Sequence, residues 1–192
     1  MKNYSVKKLV LNSLMIALVF LATYFTRIPT LLPGGYFNLG DAVIMLAAVF
    51  LGPLGGLAAG AIGSGLADLA AGALLFAPIT FVVKGLEGLV VGLLAAKYMK
   101  AARNQIIKED RKTSGTSVNF QLIFAVITGA VIMVAGYFFA EAFVLSIFDE
   151  AFGWTAAVTE LLPNFIQGGL SAVLGYIMIV LLSKMNVDKY IR

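Results

Sequence analysis

The chain has 192 residues, of which 60% are hydrophobic and 12% charged, a formal net charge of +4, and neither cysteine nor histidine. A soluble domain carries roughly 25% charged residues, so this composition excludes an ordinary soluble protein and indicates an integral membrane protein. The missing residue types exclude disulfides, thiol nucleophiles, Cys/His metal sites and histidine acid–base chemistry, and no metal site is predicted.

The first predicted membrane helix covers residues 9–26. Its apolar run is too long for the hydrophobic region of a cleavable signal peptide, and no small-residue cleavage site follows it. Arg27, Pro29 and Pro33 come next. Proline removes a backbone donor and restricts the residue before it, so this stretch predicts the end of the helix.

Three further apolar runs precede the next charged stretch, and they predict helices at 38–51, 54–70 and 78–98. A tight glycine- and proline-rich turn at 52–56 separates the first two. The run at 38–51 is short for a crossing, which needs about 20 residues. If this run were re-entrant, the number of crossings would be odd and the basic segment that follows the fourth helix would lie outside the cell. We therefore predict that the run spans the membrane.

Residues 99–119 are polar and charged and predict a cytoplasmic linker, and two more helices are predicted at 120–148 and 161–183. Twelve of the fourteen basic residues fall in three clusters, namely Lys2, Lys7 and Lys8; Lys97, Lys100, Arg103, Lys108, Arg111 and Lys112; and Lys184, Lys189 and Arg192. Basic residues mark the cytoplasmic side of a bilayer, and an even number of helices separates successive clusters. The sequence therefore predicts a single all-α membrane domain over 1–192, with six transmembrane helices and both termini cytoplasmic. Topology accounts for the positive charge, so no nucleic-acid partner is predicted.

The third predicted helix carries small or polar residues at a spacing of four, Gly56, Gly60, Ser64 and Asp68. Small residues at this spacing let helix backbones approach closely in lipid, where packing drives association. The pattern therefore favours a tightly packed bundle interior, with direct backbone contact to a ligand as the alternative.

Polar side chains within the predicted helices gather near the predicted outer side. Ionisable groups at membrane depth are costly and usually face the protein interior or a water-filled cavity. Their shared depth predicts one polar cavity that opens to the outside. These residues are Asp41, Asp68, Lys84, Glu87, Glu141, Asn164 and Gln167.

Each of these groups has a structural and a functional interpretation. Lys84 and Glu87 lie three residues apart on one helix face, and they either form an internal ion pair or bind a polar solute, with Asp68 as a second partner. Asn164 and Gln167 also share a face, and their amides bind either a ligand or a neighbouring helix.

Asp41 begins the apolar run of the second predicted helix, where it either caps the N-terminus or faces the cavity. Five aromatic residues either stack on a planar ligand or belong to the interfacial belts of the membrane: Tyr36, Phe37, Phe76, Tyr137 and Trp154. The sequence has no P-loop and no nucleophile-elbow motif, so ATP binding by a P-loop and triad hydrolysis are excluded.

The stretch from GGYFNLGDAVIMLAAVFLGPLGGLAAGAIGSGLADL to FAPITFVVKGLEGLVVGLLA, residues 34–95, resembles the substrate-binding S components of energy-coupling factor (ECF) vitamin transporters. The matching features are G-Y-x-N-L-G-D, the L-G-P turn, G-S-x-L-A-D and K-G-L-E-G. Within the family, the sequence most resembles carriers of hydroxymethylpyrimidine or pyridoxine, with riboflavin as the next choice.

The resemblance implies a high-affinity binding subunit of an ATP-driven vitamin importer, located in the plasma membrane of a prokaryote, with no cofactor and no ATPase activity of its own. It implies three partner subunits: a shared transmembrane coupling subunit and two ATPase subunits. Small residues on the first helix, typically A-x-x-x-A in the family, dock on the coupling subunit. Here that motif is Ser13-x-x-x-Ala17, and it departs from the family because Leu21 follows at the next spacing of four.

The resemblance also implies that the connection after the first helix closes over the ligand as a lid. Gly34 and Gly35 would permit unusual backbone angles, and Tyr36 and Phe37 would cover a planar ring. Asn38, together with Asp41, would bond the ring's polar edge or anchor the closed lid. The predicted substrate-binding residues are Tyr36, Phe37, Asn38, Asp41, Asp68, Lys84, Glu87, Tyr137, Glu141, Asn164 and Gln167.

Two other functions compete with this hypothesis. One is a self-sufficient ion-coupled carrier in which Lys84, Glu87 and Asp68 form a relay across the membrane. The other is a membrane enzyme that uses its carboxylates, although nothing in the sequence names its reaction. Transport in an ion gradient without partners, or turnover by the isolated chain, would distinguish these two from a binding subunit.

Overall fold

The computed structural model describes residues 6–108 and 119–185, which form a bundle of helices with one short β-hairpin. Its elements are α1 (Val6–Phe25), β1 (Ile28–Pro29), β2 (Tyr36–Phe37), α2 (Gly40–Leu51), α3 (Pro53–Ala58), α4 (Gly65–Ala71), α5 (Phe76–Lys108), α6 (Phe120–Phe139) and α7 (Trp154–Lys184). The π-helical segment Ala59–Ser64 joins α3 and α4 into one continuous span, and α6 continues through a π-helical and a 3-10 turn to Ile147.

Within the described residues, five helical segments are long and apolar enough to cross a membrane, and α2 is a shorter apolar helix of 12 residues. The prediction of an all-α integral membrane protein is confirmed. The second helix begins at Gly40 and not at residue 38, because Asn38 is part of a turn in which its Oδ1 accepts a hydrogen bond from the Gly40 N–H at 2.9 Å.

Two predicted boundaries differ from the structure. Helix α5 continues to Lys108, ten residues into the predicted 99–119 linker, because residues 99–108 are rich in Ala, Lys, Arg and Gln and contain no helix breaker. Helix α7 begins at Trp154, seven residues before the predicted start at 161. The acidic Glu160 lies outside the predicted helix but inside α7, and the helix accommodates Pro163 in its interior.

The helices run alternately in opposite directions, so the bundle has two distinct ends. One end holds the start of α1, the C-terminal part of α5 and the end of α7, and with them Lys7, Lys8, Lys100 and Lys184. We name it the basic end; the opposite end carries the β-hairpin, and we name it the hairpin end. Five basic residues of the predicted clusters lie outside the described residues: Lys2, Arg111, Lys112, Lys189 and Arg192.

Helix α2 lies at the centre of the bundle, and ten of its twelve residues are buried. A helix that is apolar on every face is stable only when protein or lipid surrounds it. Here Met45 and Phe50 pack with Leu122 of α6 and Ile179 of α7 in the largest apolar cluster, towards the basic end. The outer helices expose apolar side chains such as Phe124, as expected of a surface that meets lipid.

Backbone-to-backbone contact joins the third span to α5. A Cβ atom added at Gly56 would lie 2.5 Å from the carbonyl oxygen of Gly88, and one added at Gly60 would collide with the carbonyl group of Lys84. Glycine is therefore required at both positions for the helices to approach this closely. For Gly56 and Gly60, the structure supports the packing interpretation over contact with a ligand.

Candidate functional site

A polar cavity lies at the hairpin end of the bundle, beneath the segment that connects α1 and α2. It contains about 440 Å³ of atom-free space, part of which is open to solvent. Its walls come from α1, the hairpin segment, the third span, α5, α6 with the π-helical turn that follows it, and α7. The cavity thus lies at the end opposite the basic residues, which is the predicted outer side of the membrane.

Eight of the eleven predicted substrate-binding residues line this cavity: Tyr36, Asn38, Asp68, Lys84, Tyr137, Glu141, Asn164 and Gln167. The remaining three do not. Phe37 is half-buried in β2, on the opposite side of the strand from Tyr36. Asp41 and Glu87 are buried behind the wall, where both contact Lys84.

The hairpin itself is a short antiparallel pair in which Ile28 lies opposite Phe37 and Pro29 opposite Tyr36. Between the strands, Gly34 has a φ of 77°, in the left-handed region that glycine adopts without strain. The Gly35 N–H donates to the Leu32 carbonyl at 3.0 Å and closes the turn. These bonds give the segment a defined shape over the cavity.

One hydrogen bond attaches the hairpin to the third span, because the Tyr36 hydroxyl donates to the Asp68 carboxylate. Burial, reinforced by the neighbouring Asp68 charge, raises the pKa of Tyr36 above its usual value. The hydroxyl therefore keeps its proton at neutral pH and remains a donor. The Arg27 guanidinium lies over the outer side of this contact, 5.5 Å from the Tyr36 ring and 4.1 Å from the Tyr24 ring.

Two backbone donors of the same segment bond to α7. The Asn38 N–H donates to Gln167 Oε1 at 2.9 Å, and the Leu32 N–H donates to Glu160 Oε1 at 3.3 Å. Together with the Tyr36 contact, these bonds attach the hairpin to two different helices. The predicted lid is thus seated on the cavity in this structure.

A buried charge network lies directly behind the wall. The Lys84 ammonium pairs with the Asp41 carboxylate, and Glu87 Oε2 lies 3.6 Å from the same ammonium. Gln167 Nε2 donates to the second oxygen of Asp41 at 2.9 Å. The principal partner of Lys84 is therefore Asp41 on another helix, and not the Glu87 that its spacing suggested.

The N-cap interpretation of Asp41 is wrong. Asp41 lies inside the first turn of α2, the N-cap position is Leu39, and no side chain of the described residues caps this helix. A buried ammonium at Lys84 supplies a stronger electrostatic partner than the backbone N–H groups of a helix terminus. This explains why the carboxylate points across the bundle.

Several polar atoms on the cavity wall have no hydrogen-bond partner among the described residues. They are Thr23 Oγ1, Ser64 Oγ, Asp68 Oδ2 and Glu141 Oε2, and all four residues are at most 3% exposed. An unsatisfied buried polar group costs about 1–3 kcal/mol. A polar ligand in the cavity would provide the missing partners.

Four polar wall residues were absent from the sequence prediction: Thr23, Ser64, Thr80 and Glu160. Ser64 could have been found, since it continues the spacing of four that reaches Asp68. Glu160 lies one helical turn before Asn164, but the predicted helix began after it. Thr80 Oγ1 is 2.8 Å from the Tyr137 hydroxyl, a contact across 57 residues for which the sequence contains no signal.

Apart from Phe37, placed above, the aromatic candidates divide between two environments. Tyr36, Phe76 and Tyr137 line the cavity, and the Phe76 and Tyr137 ring centroids are 6.4 Å apart. Trp154 is 62% exposed and packs edge-on against Phe138, away from the cavity. Its position fits the interfacial-belt interpretation.

The predicted docking residues lie on a different surface. Ser13 and Ala17 are both exposed on α1, beside the exposed Leu14 and Leu18. Helix α1 buries only Val19 and Thr23 within the bundle. This face is therefore available to lipid or to another membrane helix.

Known proteins resemble the chain in sequence and in fold. A family model described as "ECF-type riboflavin transporter, S component" matches residues 3–184. An uncharacterized protein in the gap 3' region of Pyrococcus woesei is 33% identical over 157 residues, which cover 82% of this chain and 88% of that protein. A solved S component of a bacterial ECF transporter superposes with a TM-score of 0.65 at 19% identity, covering 93% of this chain and 96% of the other. The structural likeness shows a shared fold.

Proposed function

The chain belongs to the S components of ECF-type transporters, and on that premise we propose that its cavity binds a small heteroaromatic vitamin or vitamin precursor from outside the cell. S components are the substrate-binding subunits of multi-pass membrane importers, and ATP hydrolysis takes place in separate subunits. Family membership thus favours this function over the ion-coupled carrier and the membrane enzyme, which would each act alone.

The observation that carries the proposal is the set of unpartnered polar atoms on the cavity wall. Ser64 Oγ, Asp68 Oδ2 and Glu141 Oε2 have no partner in the part of the chain that the structure describes, while the hairpin above them is held by hydrogen bonds to two helices. Small-molecule sites commonly combine an enclosed cavity with a few convergent polar groups. A bound ligand would satisfy these atoms and stabilise the seated hairpin.

We propose hydroxymethylpyrimidine or pyridoxine as the first candidates for the cargo. Both are small aromatic rings with several hydrogen-bonding groups, which suits a wall of carboxyl, amide and hydroxyl groups beside the Phe76 and Tyr137 rings. Riboflavin is the second candidate, because the description of the matched family names it.

The family implies a coupling and ATPase module in the membrane as the partner of this chain. We propose that the exposed α1 face around Ser13 and Ala17 contacts the transmembrane coupling subunit. Small side chains permit close approach of a second helix, and this face is not used within the bundle.

The first test is thermal unfolding of the detergent-purified protein against a panel of vitamins and precursors. A ligand at a thousandfold excess over Kd stabilises the folded state by about 4 kcal/mol, so the cargo is expected to give a large upward shift in Tm. If no vitamin shifts the Tm of the folded protein, the proposal fails.

A matched pair of serine variants tests whether the ligand occupies this cavity. Ser64 and Ser171 are both fully buried with unpartnered hydroxyl groups, but only Ser64 lines the cavity. Ser64→Ala is expected to weaken binding of the identified vitamin by about 2- to 10-fold, the value of one lost hydrogen bond. Ser171→Ala is expected to leave affinity unchanged, and equal losses in both variants would contradict the assignment of the cavity.

A further inference from the structure

The cavity wall carries more carboxyl groups than cationic groups. Three carboxyl side chains line it, Asp68 from α4, Glu141 from the π-helical turn after α6, and Glu160 from α7. Lys84 is the one cationic side chain on the wall within the described residues, and its ammonium is already paired with Asp41. The protein therefore provides no free counter-charge inside the cavity among these residues.

The carboxyl groups are deeply buried and incompletely bonded. Asp68, Glu141 and Glu160 are 2%, 3% and 4% exposed, respectively. Asp68 uses one oxygen for the Tyr36 hydroxyl and Glu160 uses one for the Leu32 N–H, whereas Asp68 Oδ2 and Glu141 Oε2 have no partner in the described residues. Two buried carboxyl oxygens on different walls of one cavity, which have no partner among the described residues, are acceptors that a ligand could satisfy.

Among the described residues, no cationic side chain forms an ion pair with these carboxyl groups. The Arg27 guanidinium lies outside the wall, where its Nε donates to the Tyr24 carbonyl at 2.8 Å and its plane covers aromatic rings. Burial of a carboxylate is costly without a paired charge, and neighbouring carboxylates repel one another. The missing positive charge would most simply come from the ligand.

We propose that the ligand of this cavity carries a cationic or protonatable amino or ring nitrogen, which Asp68 and Glu141 bind. This inference rests on the proposed function, since it assigns a chemical class to the cargo of the same cavity. An aminopyrimidine or a pyridine fits the class, because its positive edge satisfies the carboxyl oxygens while its ring lies beside Phe76 and Tyr137. Phosphate esters of the same rings are disfavoured, because the added negative charge faces three carboxyl groups.

The test uses two pairs of probes, and the members of each pair differ at a single nitrogen-containing position. The first pair is hydroxymethylpyrimidine and its oxo analogue, in which a carbonyl replaces the exocyclic amino group. The second is pyridoxine and its benzene analogue, in which C–H replaces the ring nitrogen. Calorimetric titration of the detergent-purified protein at neutral pH is expected to give at least roughly tenfold tighter binding for the aminopyrimidine than for its oxo analogue, or for the pyridine than for its benzene analogue.

Variants that replace one carboxyl group by an amide test which side chains cause this preference. Asp68→Asn and Glu141→Gln are each expected to reduce the preference for the nitrogen-bearing probe by roughly tenfold. Glu150→Gln, which changes an exposed carboxylate outside the cavity, is the matched control and is expected to leave the preference intact. If Asp68→Asn does not fold, Glu141→Gln and the wild-type probe pairs still decide the question.

The outcomes separate this inference from the proposed function. If riboflavin, or both the oxo and the benzene analogue, bind the wild-type protein as tightly as the aminopyrimidine and pyridine probes, the cationic ligand is excluded while vitamin capture stands. Unchanged preference in both Asp68→Asn and Glu141→Gln overturns the assignment of these carboxyl groups. If no vitamin in the panel binds the folded protein, the proposed function fails and this inference fails with it.

Discussion

The two halves of the third span show how one residue spacing serves two different purposes. Towards the basic end, Gly56 and Gly60 place the helix backbone directly against α5. Four and eight residues further along the same face, Ser64 and Asp68 line the cavity with unpartnered oxygen atoms. The contacts of the glycine half are made entirely with other parts of the protein. The polar half, by contrast, has hydrogen-bonding capacity that the described residues do not use.

This difference separates the part of the molecule that maintains the fold from the part that is available to bind. Contacts through Gly56 and Gly60 leave no space for a ligand, and their loss would be measured as lost stability. Around Ser64 and Asp68, hydrogen-bonding capacity stays unused among the described residues, and we expect its removal to be measured as lost affinity. Lys84 belongs to both parts, because its carbonyl contacts Gly60 while its ammonium lies at the cavity wall.

Substitution of Lys84 is expected to have the largest effect. Lys84→Met removes the partner of the buried Asp41 carboxylate, and breaking a buried ion pair in this way costs about 3–5 kcal/mol. The measurement is thermal unfolding in detergent. The double variant Lys84→Met/Asp41→Asn is the control, because it removes both charges and is expected to recover much of the stability. Equal stability of the single variant and the wild-type protein would show that the ion pair does not stabilise the packing of α2 against α5.

The glycine half is tested by a matched pair of alanine substitutions. Gly88→Ala places a Cβ against the carbonyl group of Gly56, and overpacking of this kind typically costs about 1–3 kcal/mol. Gly169→Ala, on an open face of α7 with no atom near the new Cβ, is expected to be neutral or slightly stabilising. Ligand affinity per folded molecule should not change in either variant, and a selective loss of affinity in Gly88→Ala would contradict the division between the two halves.

The smallest effect on global stability is expected from a substitution in the hairpin. Tyr36→Phe removes the hydroxyl that donates to Asp68, and a hydrogen bond to a charged group is worth about 1.5–3 kcal/mol locally. We expect faster hydrogen exchange at the Gly35 amide with the global Tm nearly unchanged, because the hairpin can open without unfolding the helices. Tyr176→Phe on α7 is the control, since its hydroxyl makes no side-chain hydrogen bond with the described residues. Unchanged exchange at Gly35 would mean that Tyr36 does not hold the hairpin.

The sequence predicted the all-α membrane fold because long apolar runs and their separation by polar turns are properties of the chain itself. It predicted less well where two signals conflicted. The charge of Glu160 placed the predicted start of the last helix at 161, although α7 includes this residue. Residues 99–108 were too charged for a membrane span but remained helical, since helix propensity does not depend on the membrane.

Shared depth in the membrane was enough to bring Asp68, Lys84 and Glu141 to one predicted cavity, which the structure contains. The specific hydrogen-bond and ion-pair partners could not be predicted, because they depend on the rotation of each helix about its axis and not on depth in the membrane. Asp41 and Lys84 are 43 residues apart, and Asn38 and Gln167 are 129 apart. Nothing in a single sequence indicates that these side chains face each other.

The short central helix has a consequence for biosynthesis. With 12 residues, α2 is about 18 Å long, well short of the roughly 30 Å hydrocarbon core of a bilayer. A segment of this length has little capacity to partition into lipid alone, and its buried Asp41 would add to the cost of doing so. We therefore expect α2 to enter the membrane as a helical hairpin with the third span, after α1 is already in place, so that assembly of the bundle begins while the chain is still being translated.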